Sequence, residues 1–540
     1  MANIIIKKSE LSKYIPLTKE NLDKIALSGI SFEETKDEIM FEVAANRPDQ
    51  LSLQGLTRYL RSYLGIENKI RNYKLNKPEK NFKVVIDASV KNIRPFTACA
   101  IIKDLKLNNE KIKEIIDLQE KMHSTFGRNR KRCAIGVYPL ENINLPIRYT
   151  ALKPEEIVFK PLESDREMNG REILEKHPTG KTYAHLLEKM PKYPLFMDAS
   201  NNVLSMPPII NSEKTGRVTE KTKSVFIECS GFEEEIVQQA LNILVTSLSD
   251  MGGKIFQMEL QNEKKKTITP KLESSQMKFN LKDANKILGL NITEKELPKL
   301  FRKVGLDYKK NIVTIPAWRT DIIHNIDLIE DLAIAYGYDN IEPKLPEIAS
   351  TASQSNKQKI NNIVSNILVG LGLIEVSSFH LVKEEETKLM KEKPIELEAS
   401  KTEYKHLRQS LVAPALRIIS ENKDNEYPQK IYEIGTTFKL VNKKIEERSS
   451  LVISLTPGSF TQTKQIVDSL IQQLGLDYEI KENEEDIMVN GRCASIIIGK
   501  DKIGSFGEIN PETLRNWNIK MPVALIEISM DKLLENVKLH

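Results

Sequence analysis

Only four cysteines occur in 540 residues, and Cys99, Cys133, Cys229 and Cys493 stand far apart with no C-x-x-C pair. That scatter supports neither a disulfide framework nor a zinc site, and a reducing cytoplasm is the simple expectation. Long apolar runs are missing as well: none approaches the ~18 residues that a membrane helix needs. The opening Met-Ala-Asn-Ile-Ile-Ile-Lys-Lys is too short for a signal peptide. No charge sign prevails, since 80 basic and 75 acidic residues leave +5, too balanced to announce nucleic-acid binding by itself. Aromatics make up only 6%, and neither an internal repeat nor a low-complexity segment is present. What remains is an ordinary soluble composition, 40% apolar and 29% charged. At about 100–200 residues per domain, such a chain predicts three to five domains, each with a real core.

The most informative stretch runs from Trp318 to Tyr338. On helical spacing, Ile322, Ile326, Ile329, Ala333 and Tyr336 form an apolar stripe, and Asp327, Glu330 and Asp331 take the opposite face. Acids at a helix start suit the positive end of its dipole. Three carboxylates at i, i+3 and i+4, with Asp321 just upstream, also repel one another unless a cation lies among them, and hard oxygen ligands suit magnesium. A solvated acidic face and a magnesium site both fit this spacing.

Elsewhere, residues 1 to about 75 read as a small α+β unit with a helix over 21–29 and a strand over 38–44. Asn46-Arg47-Pro48-Asp49 reads as a loop whose Asp49 is placed to cap a helix over 50–64. After a polar linker at 77–80, strands are expected over 83–88 and 96–102 and a helix over 111–126. The run Gly127-Arg128-Asn129-Arg130-Lys131-Arg132 reads as a solvated loop or as a phosphate contact. Gly180-Lys181-Thr182 imitates a P-loop, but Glu175 stands where that motif needs its first glycine, which excludes nucleotide binding there. Segments 203–211 and 225–229 flank a basic, polar, hairpin-like stretch, and a helix over 233–248 follows. A charged linker at 263–266 precedes helices over 281–288 and 294–304 and a strand over 312–315, in winged-helix order. The acids of the candidate recognition surface repel phosphate, so DNA is not the expected partner. From 357 onward a helix over 358–370, strands over 375–380, 430–435, 451–455, 494–498 and 502–508, and a helix over 413–422 suggest an antiparallel sheet domain.

W-R-x-D-I-x-x-x-x-D-L-x-E-D-x-x-x-x-Y-G-Y, spanning Trp318 to Tyr338, resembles the magnesium-binding winged-helix domain of phenylalanyl-tRNA synthetase β subunits of the archaeal type. Asp321, Asp327, Glu330 and Asp331 fall on that motif's acidic positions, the last often Glu in the family, and the resemblance implies that they bind Mg²⁺. Asn46-Arg47-Pro48-Asp49 with Leu51-Ser52 and Gly55-Leu56-Thr57-Arg58 resembles the same family's N-terminal domain. Leu204-Ser205-Met206-Pro207-Pro208-Ile209-Ile210-Asn211-Ser212 and Phe226-Ile227-Glu228-Cys229-Ser230-Gly231 resemble its editing domain.

The resemblance thus implies an α+β multidomain chain. It has an N-terminal α+β domain (1–76), an editing domain (80–262), a winged-helix domain (268–345) and a class II synthetase-like antiparallel domain (350–540). Arg408 is followed by Gln409 and Ser410 where class II activation needs an acid, so the last domain is expected to be catalytically degenerate. Also implied are a cytoplasmic (αβ)₂ ligase with an α subunit holding ATP and phenylalanine, and tRNA as partner. A second activity would clear mischarged Tyr-tRNA. There Glu228 would accept the tyrosine hydroxyl, with Ser230 lining the same pocket and Ser205 and Asn211 near the ester. An ion pair of Glu228 with Lys221 or Lys223 is the plainer alternative for that acid. A stand-alone tRNA deacylase and a purely structural tRNA-binding partner are the competing functions.

Overall fold

The computed structural model describes residues 2–262, 265–348, 350–389 and 392–537. The chain divides into two compact units, Met1–Leu345 and Pro346–His540.

The first unit opens with a three-stranded antiparallel sheet in the order Ala2–Lys7, Glu38–Val43, Ser31–Glu34. Ile4, Ile6, Ile39 and Phe41 are buried while Ile5 faces out, as a two-residue period requires. The helix expected over 50–64 begins later, at Leu53–Tyr63, because Pro48–Gln50 forms a separate 3₁₀ turn. Ser52 is its cap, with Oγ accepting from Gly55 N at 3.0 Å, and the expected cap Asp49 instead pairs with Arg47. A side chain at Gly55 would stand 1.8 Å from the Asp49 carbonyl, so only glycine lets this helix pass so close to the turn.

An eleven-stranded mixed sheet follows. Its path runs Ile210–Asn211, Val203–Met206, Tyr193–Met197, Ile147–Leu152, Lys83–Ile86, Lys254–Gln261, Phe96–Lys103, Val225–Gly231, Cys133–Pro139. Leu75–Asn76 and Lys266–Thr269 also pair with Lys254–Gln261. Residues 263 and 264 of the expected charged linker lie outside the described residues, and Lys266 already belongs to a strand. The helices Asn109–Ser124 and Glu234–Asp250 contribute Ile115, Leu118, Leu241 and Leu244 to a core shared with alternate residues of Phe96–Lys103, Val225–Gly231 and Cys133–Pro139.

That core continues through Leu56 and Leu60 on one side and Phe301, Leu328 and Leu332 on the other. It therefore joins the N-terminal sheet to the segment 275–336. In that segment the helices Leu281–Leu288 and Leu297–Lys303 precede a hairpin, Asp307–Lys309 with Ile312–Ile315, which Ser275–Lys278 extends to three strands. The helix Asn325–Tyr336 closes it.

The second unit is a seven-stranded sheet ordered Ile374–Glu375, Gln429–Val441, Lys444–Thr456, Ala524–Ser529, Asp501–Ile509, Met488–Ile498, Glu479–Glu482. All neighbours are antiparallel except the first pair. Alternation splits its core: Leu451, Ile453 and Leu455 meet Val364, Leu368 and Leu470, whereas Val452 and Leu525 meet Leu416 and Ile419. The expected strand over 375–380 is broken. The strand ends at Glu375, with Val376 N–H still bonded to the Tyr432 carbonyl at 2.9 Å, and Ser378 then turns its N–H (3.2 Å) and hydroxyl (2.6 Å) onto the buried Glu433 carboxylate. Glu433 also receives Arg408, Nη1 to Oε1 2.7 Å, so the arginine that is followed by Gln409 and Ser410 rather than an acid finds one 25 positions on. Among the described residues no helix is long and apolar enough to cross a membrane.

Candidate functional site

Strand Val225–Gly231 lies between Phe96–Lys103 and Cys133–Pro139, antiparallel to both. Val225, Ile227 and Cys229 point to the helix-covered core, so Phe226, Glu228 and Ser230 must face the other way. Register sets Glu228 opposite Cys99 on one side and Gly136 on the other. The carboxyl is 2% exposed and reaches no lysine. Oε1 lies 3.1 Å from Tyr138 Oη, and Oε2 has no hydrogen-bond partner. The ion pair with Lys221 or Lys223 is therefore not formed.

Burial pushes the Glu228 carboxyl up to about 8, against the opposing pull of Tyr138, Arg94 and Ser205. A cavity of about 810 Å³ opens in front of it, with Ser205, Asn211, Glu228, Pro208 and Arg130 in its wall. Ser205 Oγ is buried beside Glu228 without a hydrogen bond of good geometry. Asn211 Oδ1 lies 3.2 Å from Tyr138 Oη.

Three of the four expected pocket residues thus meet at one wall. Ser230 stands behind it, its hydroxyl accepting from Arg94 Nε at 3.1 Å and its carbonyl from Nη2 at 2.7 Å. Tyr138 and Arg94 were not anticipated. Tyr138 sits on a strand buried on both faces, which carries no alternation to flag it.

Of the basic run 127–132, Arg130 lines the same cavity. Arg128, Asn129 and Arg130 all adopt left-handed backbone (φ 50, 52 and 64), strained for residues with side chains. Arg130 is turned inward, donating to Ile209 O at 2.8 Å and Glu120 Oε1 at 2.9 Å and lying over the Tyr183 ring. Arg132 pairs with Glu233, whereas Arg128 and Lys131 are exposed. Gly180 is structural: a Cβ there would lie 1.7 Å from the Ile173 carbonyl.

The acids of 321–331 do not converge. Arg319 is buried and grips Asp321 with two hydrogen bonds (2.9 and 2.8 Å) and Asp331 with one (2.7 Å). Burial works against both carboxylates; beside Arg319, Asp321 ends below its ordinary range and Asp331 above it. Asp327 accepts from the N–H groups of Ile323 (2.8 Å) and His324 (2.7 Å), and Glu330 is exposed. Asp331 faces inward, and Ile326 is 52% exposed, so the expected apolar stripe is rotated toward Leu328, Leu332 and Ala335.

Among the described residues no group of three or more His, Cys, Asp or Glu is arranged to hold a metal ion. As placed here, the four acids do not fit one magnesium ion. Instead the two signature loops meet: Arg47–Asp49 lies within the field of Arg319–Asp321, and Arg58 covers the Trp318 ring at 4.6 Å while pairing with Asp250 at 2.9 Å.

Three domain families match in order along the chain, which makes it a multidomain component of a tRNA synthetase. They are the B3/4 domain at residues 86–250, the tRNA synthetase B5 domain at 277–338 and the phenylalanyl tRNA synthetase beta chain CLM domain at 341–530. The phenylalanine–tRNA ligase beta subunit of Thermococcus sibiricus is 38% identical over 513 residues, covering 92% of this chain and 91% of its own. That of Pyrococcus abyssi is 34% identical, covering 95% and 98%. A crystal structure of an N-terminal fragment of the Pyrococcus horikoshii β subunit matches with TM-score 0.58 and 36% identity, over 62% of this chain and 99% of the fragment. The chain belongs to the phenylalanine–tRNA ligase β-subunit family.

Proposed function

We propose that this chain is the β subunit of an (αβ)₂ ligase that attaches phenylalanine to its tRNA, and that the cavity at Glu228 hydrolyses tyrosine wrongly attached. In this reading ATP and phenylalanine bind to the α subunit. The N-terminal sheet unit, the editing domain and the winged-helix domain make up residues up to 345. The class II-like sheet serves assembly rather than activation, with Arg408 committed to Glu433.

The observation that carries the editing reading is a buried carboxyl with a partnerless Oε2 at the wall of a large cavity. Phenylalanine and tyrosine differ by one hydroxyl, and an apolar pocket rejects an added hydroxyl by only about a hundredfold. A site built to bond that hydroxyl rejects the analogue lacking it by about 10⁴. Glu228 Oε2 takes the phenol, and Ser205 and Asn211 hold a water or the developing oxyanion near the ester. Ser230 anchors Arg94 behind the wall. Arg128 and Lys131, the exposed cations of the basic loop, meet the tRNA backbone.

Magnesium is assigned to the assembled enzyme, as a counter-charge for phosphate chemistry. Asp327 and Glu330 are the acids open to it, and Asp321 and Asp331 join only by releasing Arg319.

Glu228→Ala in the αβ complex tests the editing reading. Tyr-tRNA deacylation is lost while phenylalanine attachment continues. Clearance at the parental rate would remove Glu228 from the role. The mass of the native assembly separates an (αβ)₂ ligase from a stand-alone deacylase.

A further inference from the structure

Tyr138 Oη lies within hydrogen-bond distance of two acceptors, Glu228 Oε1 at 3.1 Å and Asn211 Oδ1 at 3.2 Å. A phenol has one proton and cannot donate to both. Both bonds form together if Glu228 is a carboxylic acid: its Oε1–H donates to Tyr138 Oη, and Tyr138 donates to Asn211 Oδ1. Oε2 is then left as a carbonyl, an acceptor only, and makes no hydrogen bond here, with the equally unbonded Ser205 hydroxyl beside it. The upward push of burial on Glu228 agrees with that protonation state at neutral pH.

A second, independent observation concerns the residue opposite. A Cβ at Gly136 would stand 2.0 Å from Tyr138 Oη and 2.7 Å from Glu228 Oε1. Glycine is thus required in that register position for the phenol and the carboxyl to meet. The Tyr138 ring itself is held by stacking on Phe226, centroids 5.8 Å apart.

We propose that Tyr138 is the positioning residue of the deacylation pocket. Its hydroxyl links Glu228 to Asn211, fixes the carboxyl proton on Oε1, and so leaves Oε2 as the acceptor that tells a tyrosyl ester from a phenylalanyl one. The inference rests on the editing reading above. A phenol entering the cavity donates to Oε2, whereas a phenyl ring leaves it desolvated and unpaired, and that difference is the selectivity. Without the Tyr138 hydroxyl the proton is free to sit on either oxygen. Half of the carboxyl orientations then present a donor, which the entering phenol meets only as an acceptor, with its own proton left unpaired.

Deacylation of Tyr-tRNA and Phe-tRNA by the αβ complex is compared for the wild type and Tyr138→Phe. The expected result is a Tyr:Phe ratio of kcat/KM lower by about tenfold, the worth of one well-placed hydrogen bond, with ester hydrolysis retained. Equal losses on both esters would mark Tyr138 as packing only and overturn the proposal. A wild type that clears no Tyr-tRNA would instead sink the editing reading itself. A measurement that needs no altered pocket is the infrared difference spectrum of wild type minus Glu228→Gln near neutral pH. A carboxylic-acid carbonyl band supports the relay. Its absence would mean that Tyr138 donates to a carboxylate, and the assigned direction would be wrong.

Discussion

Replacing Arg319 by Met is the sharpest test of what the signature acids do. The guanidinium is buried and bonds Asp321 twice, Asp331 once and the Val304 carbonyl at 3.2 Å. Methionine fills much of the volume but leaves two buried carboxylates facing each other. Removing one partner of a buried pair costs about 3–5 kcal/mol. At about 1.4 kcal/mol per factor of ten, that is roughly two to nearly four orders of magnitude in the opening equilibrium. Amide exchange in the full chain, read over the helix Asn325–Tyr336, reports this opening without requiring the whole molecule to unfold in one step.

Without Arg319 the folded pKa values of Asp321 and Asp331 lie above their unfolded values, so the native state holds more protons. The deficit is therefore small near pH 4, grows as pH rises through the folded pKa values, and is complete near neutrality. Asp321→Asn and Asp331→Asn added to Arg319→Met recover most of the loss, since a buried ion group replaced whole is often near neutral. Exchange unchanged in Arg319→Met, or a deficit independent of pH, would refute the reading that these acids exist first for Arg319.

Other outcomes follow from the same geometry. Asp327→Ala with Glu330→Ala lowers magnesium-free stability by about 1 kcal/mol, because Asp327 caps two N–H groups and is not merely a repelling charge. Melts with and without magnesium check both that loss and the disappearance of any magnesium increment; an increment kept intact would clear these two acids of binding it. Glu114, whose Oε1 accepts from Gln54 N at 3.1 Å, is raised by burial to about 7. Its neutral form favours the fold, so stability is lost between the unfolded pKa near 4.5 and about 7, by at most about 1.4 kcal/mol for each step of one in pH. Glu114→Gln should flatten that slope in amide exchange across Leu53–Tyr63, and a slope left as it was would mean that Glu114 titrates alike folded and unfolded. Gly55→Ala forces a methyl against the Asp49 carbonyl and should cost about 3 kcal/mol or more, seen as loss of soluble protein; soluble yield at the parental level would show that the turn can move aside.

Ser205, Asn211 and Glu228 were singled out by the family resemblance of Leu204 to Ser212 and Phe226 to Gly231, and the fold brings all three to the wall of one cavity. Their inner partner was not singled out. Tyr138 reaches Glu228 across a strand pair separated by 90 positions, and Cys133–Pro139, buried on both faces, offers no period to set that tyrosine apart. The strand Tyr193–Met197 escaped notice for the same reason.

The helix 325–336 teaches the complementary lesson. Periodicity places Asp327, Glu330 and Asp331 at known angles on a cylinder, but which angle faces the core depends on what the cylinder packs against. Chemical type, strand alternation and the order of the elements are properties of neighbouring residues, and residues 1–540 carry them openly. The meeting of Arg319 with Asp331, of Arg408 with Glu433 and of Tyr138 with Glu228 is a matter of long-range register and burial. A charge or a hydroxyl takes its partner only after packing has removed water from both.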